Sequence, residues 1–127
     1  MTTCVIGSLR NLARLQDIAE ILRQKGQKVL VPIDTSSAHF ADRVKTKNEF
    51  MKSMYEQIKS CDAVLVANDT PRGGLEGYIG PNTFLQLGMA MALDKRLYAL
   101  AKWDKNLPYD EELEAMGINV IDIQQRF

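Results

Sequence analysis

Asp62-Ala63-Val64-Leu65-Val66-Ala67 sets five apolar residues in an unbroken row, and residues 68–80 follow it with four glycines and one proline. An apolar run of that length, with no polar residue on either side of its pleat, reads as a strand buried on both faces. The segment after it has to be a loop. Pro81 then stands at a first helical position, and Phe84, Leu85, Leu87, Met89, Met91 and Leu93 carry a helix to about residue 94.

The same alternation runs outward in both directions. Upstream, Thr3-Cys-Val-Ile-Gly7 is a short β-branched strand ending in glycine, and Leu12, Leu15, Ala19 and Leu22 recur at helical spacing until Gly26 stops them. Val29-Leu-Val31 is a second strand closed by Pro32. Residues 34–45 are polar and rich in turn-forming types, an expected mobile loop, before Phe50, Met51, Met54 and Ile58 mark another amphipathic helix. Downstream, Arg96-Leu-Tyr-Ala-Leu-Ala101 is a fourth strand, residues 111–116 a short helix and Ile118-Asn-Val-Ile121 a fifth strand. Strands that are apolar on both faces belong to a parallel sheet with helices on each side. Right-handed crossovers leave few topologies. The expectation is α/β: a flavodoxin-like three-layer sandwich on a five-stranded parallel sheet, order 2-1-3-4-5, in a single domain over residues 1–127.

Composition narrows the function classes. The chain has 127 residues, 46% apolar and 25% charged, which argues against disordered, collagen-like and coiled-coil chains. Sixteen basic residues balance sixteen acidic ones, so no overall field recruits a nucleic-acid polymer or an anionic membrane. The basic residues of the first helix fall on a solvated face, and no aromatic interleaving makes them a nucleic-acid stripe. No apolar stretch approaches the ~20 residues of a membrane span, and no leader is read at the start. Cys4 and Cys61 read as buried reduced thiols, with no disulfide framework and no metal cluster. A cytoplasmic protein without metal or cofactor is expected.

In such a sheet the ligand crevice lies beyond the carboxyl ends of the strands, where the strand order reverses. That rule nominates Gly7-Ser-Leu-Arg-Asn11, Pro32-Ile-Asp34, Asn68-Asp69-Thr70 and Trp103-Asp-Lys-Asn106. Gly7, Ser8 and Arg10 suit an anion at a helix start, with Arg10 offering a bidentate fork. The alternative is that Ser8 or Asn11 merely caps the helix and Arg10 is solvated. On the third helix Asn82, Thr83 and Gln86 stand out against an apolar background and share a face. Either local backbone or a ligand satisfies them, because buried polar groups are expensive to leave unpaired. Asp69 is placed to accept from a base or sugar hydroxyl, or else closes an Asx turn. Asp34 is similar at the second strand's end. His39, the one histidine, reads as solvated.

Gly7-Ser-Leu-Arg10, Cys61-Asp-Ala-Val-Leu-Val, and Tyr78-Ile-Gly-Pro-Asn-Thr-Phe-Leu-Gln-Leu-Gly-Met-Ala90 followed by Asp94-Lys95 resemble the nucleoside 2-deoxyribosyltransferase superfamily over nearly the whole chain. The Gly-Ser-x-Arg start is also similar to the 2′-deoxynucleoside 5′-phosphate N-hydrolases of that superfamily, where this loop contacts the 5′-phosphate. The resemblance implies a flavodoxin-like fold, a homodimer or higher homo-oligomer, and a small-molecule nucleoside or nucleoside monophosphate as partner. It also implies cleavage of an N-glycosidic bond by a glutamate that attacks the anomeric carbon. Under it Ser8 and Arg10 hold the phosphate, with Gly7, Asp34, Asn68, Asn82 and Thr83 around the substrate and Asp69 orienting sugar or base.

The pattern breaks at the nucleophile. The position that matches the glutamate is Gln86, and Gly80 stands where the transferases carry an aspartate. A neutral amide is a poor nucleophile and cannot balance an oxocarbenium-like charge. Glu76, on the glycine-rich loop, is the nearby acid that would have to substitute. Two functions therefore stand side by side: an N-glycosidase or deoxyribosyltransferase, and a nucleotide-binding or sensor module in which Gln86 donates to and accepts from the ligand. A purely structural oligomerisation unit is the third.

Overall fold

The computed structural model describes residues 1–32 and 40–124, the stretch 40–44 by its backbone only. Asp34 and His39 lie outside the described residues. The chain runs β1 (Thr2–Ile6), a 3-10 turn (Leu9–Asn11), α1 (Leu12–Gln24), β2 (Lys28–Leu30), α2 (Phe40–Ser60), β3 (Ala63–Val66), α3 (Pro81–Ala92), β4 (Arg96–Ala99), α4 (Asp110–Ala115) and β5 (Asn119–Val120). The five strands form one sheet in the order β2-β1-β3-β4-β5, every pair parallel. The strand order reverses between β1 and β3, as the sequence pattern leads one to expect, so the loops that follow these two strands flank a crevice.

The apolar strands separate their side chains with a period of two. On β3, Leu65 packs with Val5 of β1 and with Leu15, Ile18, Ala19 and Leu22 of α1, forming one core layer. Val64 and Val66 point the other way and join Cys4 and Ile6 to Met54 and Ile58 of α2, Leu87 and Ala90 of α3, and Leu113 of α4. Cys4 and Cys61 are free thiols buried in this second layer. Among the described residues no helix is long and apolar enough to cross a membrane.

One expected element differs. The loop read over residues 34–45 is helical from Phe40 onward, so α2 begins ten residues before Phe50. Residues 33–70 contain neither glycine nor proline, and the polar types that suggest a loop are also ordinary residues for the solvent side of a long helix. The extra turns bring Thr46 and Lys47 to the crevice end of the helix.

α3 is buried along one side only. Thr83, Gln86, Leu87 and Ala90 are buried, while Leu85 remains 51% exposed. The helix ends after Leu93, where Asp94 takes a positive φ of 58° and Lys95 N–H donates to Ala90 O at 3.0 Å.

Two glycines of the described chain make opposite demands. Gly77 has a φ of +60°, and a Cβ placed on it would fall 2.1 Å from the Lys102 carbonyl oxygen. Gly88 lies within α3, where an added Cβ meets nothing within 4 Å. Gly77→Ala should lower the unfolding free energy by about 3 kcal/mol or more, and Gly88→Ala should raise it by about 0.5–1 kcal/mol. Urea titration of both variants beside the parent checks the pair. A Gly77→Ala protein as stable as the parent would show that the loop can be displaced from Lys102.

Candidate functional site

The crevice at the reversal point holds a cavity of about 670 Å³, continuous in its lining with a smaller one of about 150 Å³. Thr46, Lys47 and Phe50 of α2 form one side of the wall, and three further segments complete it. From β1, the chain passes through Gly7 into the 3-10 turn. A Cβ on Gly7 would stand 2.9 Å from the Leu15 side chain and 3.2 Å from the Ala67 carbonyl oxygen, so glycine lets the first loop lie close against the third strand's end. Ser8 then caps the turn, its Oγ accepting from Arg10 N–H at 3.3 Å. The cap leaves the Ser8 hydroxyl proton available to the cavity. Arg10 is exposed and lines both cavities.

The second segment is the loop after β3. Asn68 is 2% exposed and its carboxamide is fully engaged with backbone. Nδ2 donates to Gly77 O at 3.1 Å and to Ala101 O at 2.7 Å, and Oδ1 accepts from Leu100 N–H at 3.1 Å and Ala101 N–H at 3.0 Å. Further along, Arg72 N–H donates to Leu75 O and Leu75 N–H to Arg72 O, closing a tight hairpin over Gly73 and Gly74, both at positive φ. The Arg72 guanidinium carbon lies 5.7 Å from the centre of the Tyr78 ring, a cation–π distance. The Tyr109 hydroxyl donates to Ile79 O, and the Tyr109 ring stacks on Phe84 with centroids 4.4 Å apart, fastening the loop's end to α3. Burial and Tyr78 push the Tyr109 hydroxyl above its ordinary pKa.

The third segment is the start of α3, entered from Gly80 with Pro81 in the first turn. Asn82, Thr83 and Gln86 all line the larger cavity, Thr83 and Gln86 at 3% and 4% exposure and Asn82 exposed. Gln86 Oε1 is buried and accepts no hydrogen bond. An acceptor left in that state costs about 1–3 kcal/mol.

Of the sequence-nominated residues, the structure brings Gly7, Ser8, Arg10, Asn82, Thr83 and Gln86 together around one space. Asn68 and Asp69 are not among them. The Asn68 amide has every donor and acceptor engaged in tying the loops to β4. The Asp69 carboxylate is gripped by Arg14, at 2.6 Å to Nη2 and 3.4 Å to Nε. That pairing raises the Arg14 pKa above its ordinary value. Glu76 is exposed and lines neither cavity. Among the described residues that line the two cavities there is no carboxylate, while Arg10, Lys47 and Arg72 supply cations and Phe50 and Tyr78 supply aromatic faces.

The sequence profile described as Nucleoside 2-deoxyribosyltransferase matches residues 6–121. The chain belongs to this family. A structure of the Clostridium botulinum CMP N-glycosidase BcmB is 19% identical, with a TM-score of 0.61, and the likeness covers 95% of this chain and 88% of that one. The solution structure of BlsM is 16% identical, with a TM-score of 0.58 over 98% of this chain and 83% of that one. A 2-deoxyribosyltransferase from Bacillus psychrosaccharolyticus is 16% identical, with a TM-score of 0.56 over 98% and 89%. Identities this low establish the shared fold. A comparison with curated protein sequences gives no match.

Within this nucleoside 2-deoxyribosyltransferase fold, sequence reasoning missed Thr46, Lys47, Phe50, Arg72 and Tyr78 as cavity residues. Phe50 reads equally well as helix core, and Lys47 sits in the stretch read close to a loop. Arg72 did leave a signal: Gly-Gly between Arg72 and Leu75 is hairpin chemistry, which fixes the direction of the residue before it.

Asn68→Asp keeps the shape but replaces two donors with a carboxylate facing two carbonyl oxygens. Its folded-state pKa should lie above the unfolded value of about 4. The folded state then binds the extra proton, so stability falls as pH rises through that range. We expect this variant to lose about 3 kcal/mol or more at pH 7 and to recover part of it on acidification towards pH 4. Denaturant unfolding at both pH values checks the sign. A loss independent of pH would show that the side chain has swung out to water.

Proposed function

We propose that the cavity is a nucleotide pocket, and that this chain holds a nucleoside or nucleoside monophosphate without cleaving it. The observation that carries the reading is the charge of the cavity wall: Arg10, Lys47 and Arg72 line it, no carboxylate does among the described residues, and a neutral Gln86 stands at the position that the resemblance matches to the family's nucleophilic glutamate. An amide at position 86 can pair with a ligand hydroxyl or amine without carrying charge. Ser8 and Arg10 take the phosphate, and Asn82 and Thr83 lie beside the sugar or base. Cleavage needs a negative charge next to the anomeric carbon to form the glycosyl intermediate and to balance the oxocarbenium-like transition state. The described wall contains none.

Membership of a family of glycosidases and transferases favours a second reading, in which the chain is an active N-glycosidase or deoxyribosyltransferase with another residue as nucleophile. The two separate on free base released from a panel of deoxynucleoside 5′-monophosphates, followed chromatographically. The parent chain should release none above background. Gln86→Glu, which restores the carboxylate, should release base at least about a thousandfold faster. Base release by the parent would overturn the binding-module reading and make Glu76 the next residue to replace.

The homo-oligomer implied by the family resemblance has a suitable surface in this chain. Met51 and Tyr55 of α2 and Leu85 and Met89 of α3 sit at i, i+4 spacings, with Tyr55 and Leu85 exposed. We assign this face to a second copy. Leu85→Lys should shift the sedimentation coefficient to that of a monomer, and an unchanged value would remove the assignment.

A further inference from the structure

We infer that Arg72 is a second phosphoryl-binding arginine, acting with Arg10 on the same group of the ligand. This rests on the nucleotide reading of the cavity and extends it to a residue outside the Gly-Ser-x-Arg loop.

Both cavities include Ser8, Arg10, Arg72 and Thr83 in their walls, so the two arginines border one shared region from two different loops. These loops follow β1 and β3, the strands between which the sheet order reverses. Arg10 comes from the 3-10 turn after β1, and Arg72 from the hairpin after β3.

Neither arginine has a carboxylate partner among the described residues, whereas the nearby acid is already engaged. Asp69 lies three residues before Arg72, and its carboxylate is held by the Arg14 fork at 2.6 Å. The Arg14–Asp69 pair thus keeps an acid close in sequence from neutralising the cations at the cavity. The smaller cavity, at about 150 Å³, has room for a phosphoryl group.

The hairpin makes Arg72 a presented residue. Two backbone hydrogen bonds, 3.1 and 3.0 Å, join Arg72 to Leu75 across Gly73 and Gly74, whose φ values of +59° and +77° suit glycine. The hairpin's far end is held where Asn68 binds Gly77 O. The Tyr78 ring lies beneath the guanidinium at 5.7 Å. At that separation the ring holds the cation without taking up its N–H groups, which leaves the arginine fork for bidentate recognition of a phosphate. Two such forks match a phosphomonoester carrying close to two negative charges at neutral pH.

The test has two arms on the full chain. In the first, inorganic phosphate is titrated while the arginine side-chain Nε–Hε resonances are followed by NMR. Saturable shifts of both Arg10 and Arg72, with the saturation lost in Arg72→Ala, are expected. A shift confined to Arg10, or none at all, overturns the clamp. In the second arm, calorimetry compares a nucleoside 5′-monophosphate with its free nucleoside. Arg72→Ala should weaken the monophosphate by about tenfold to a hundredfold and the nucleoside by less than about threefold. Arg72→Lys, which keeps charge but not the fork, should fall between. Equal weakening of both ligands would mean that Arg72 only braces Tyr78, and would overturn the proposal. Phosphate saturation through both arginines with no binding of any nucleotide would leave the clamp standing and defeat the nucleotide reading instead.

Discussion

The carboxamide of Asn68 is the connection on which the crevice depends. Its two donors and two acceptors reach Gly77, Leu100 and Ala101, so one buried side chain joins the end of β3, the far end of the glycine-rich loop and the exit of β4. A loop carrying four glycines has much conformational freedom to lose on folding. With its end tied down, Gly77 lies against the Lys102 carbonyl, Tyr109 reaches the Ile79 carbonyl, and the chain enters α3 at Gly80 and Pro81 in one definite direction. That direction decides where Thr83 and Gln86 are buried. Without it the hairpin bearing Arg72 would have no fixed base.

The second constraint is electrostatic. Asp69 follows directly on Asn68 at the end of the central strand, where an acid would otherwise border the cavity. Arg14 of α1 takes it up in a forked pair, and the described lining is left with cations, hydroxyls and amides. A carboxylate at position 86, nine-tenths buried, would carry a large desolvation penalty unless cations or ligand compensated it. The neutral amide avoids that penalty. Under the proposed reading the pocket would hold its ligand on polarity alone, since binding needs complementary donors and acceptors where catalysis needs charge placed against a transition state.

Legibility differed by element. β1, β3 and α3 could be read because their apolar runs, glycine and proline punctuation and helical spacing are local signals. The first turns of α2 could not, because polar residues with no breaker among them fit a loop and a solvated helix equally well. Ser8 caps the turn with its oxygen, as one of the two sequence readings has it, and the residue also lines the cavity. Asn68 and Gln86 illustrate the opposite difficulty. Both are polar residues at the crevice end of an apolar element, and nothing in the sequence separates the one that binds backbone from the one left without a donor.

By itself, then, the amino-acid sequence determined the alternation of strands and helices, the parallel sheet with its reversal between β1 and β3, and the neutral residue at position 86. These follow from side-chain periodicity and from chemical identity, which are properties of neighbouring residues. Tertiary structure alone decided that Asn68 and Asp69 serve the scaffold while Lys47, Phe50, Arg72 and Tyr78 border the cavity. Those outcomes depend on which groups meet across tens of residues of chain, where a hydrogen bond or ion pair closing at about 3 Å turns a side chain towards backbone or leaves it facing open space.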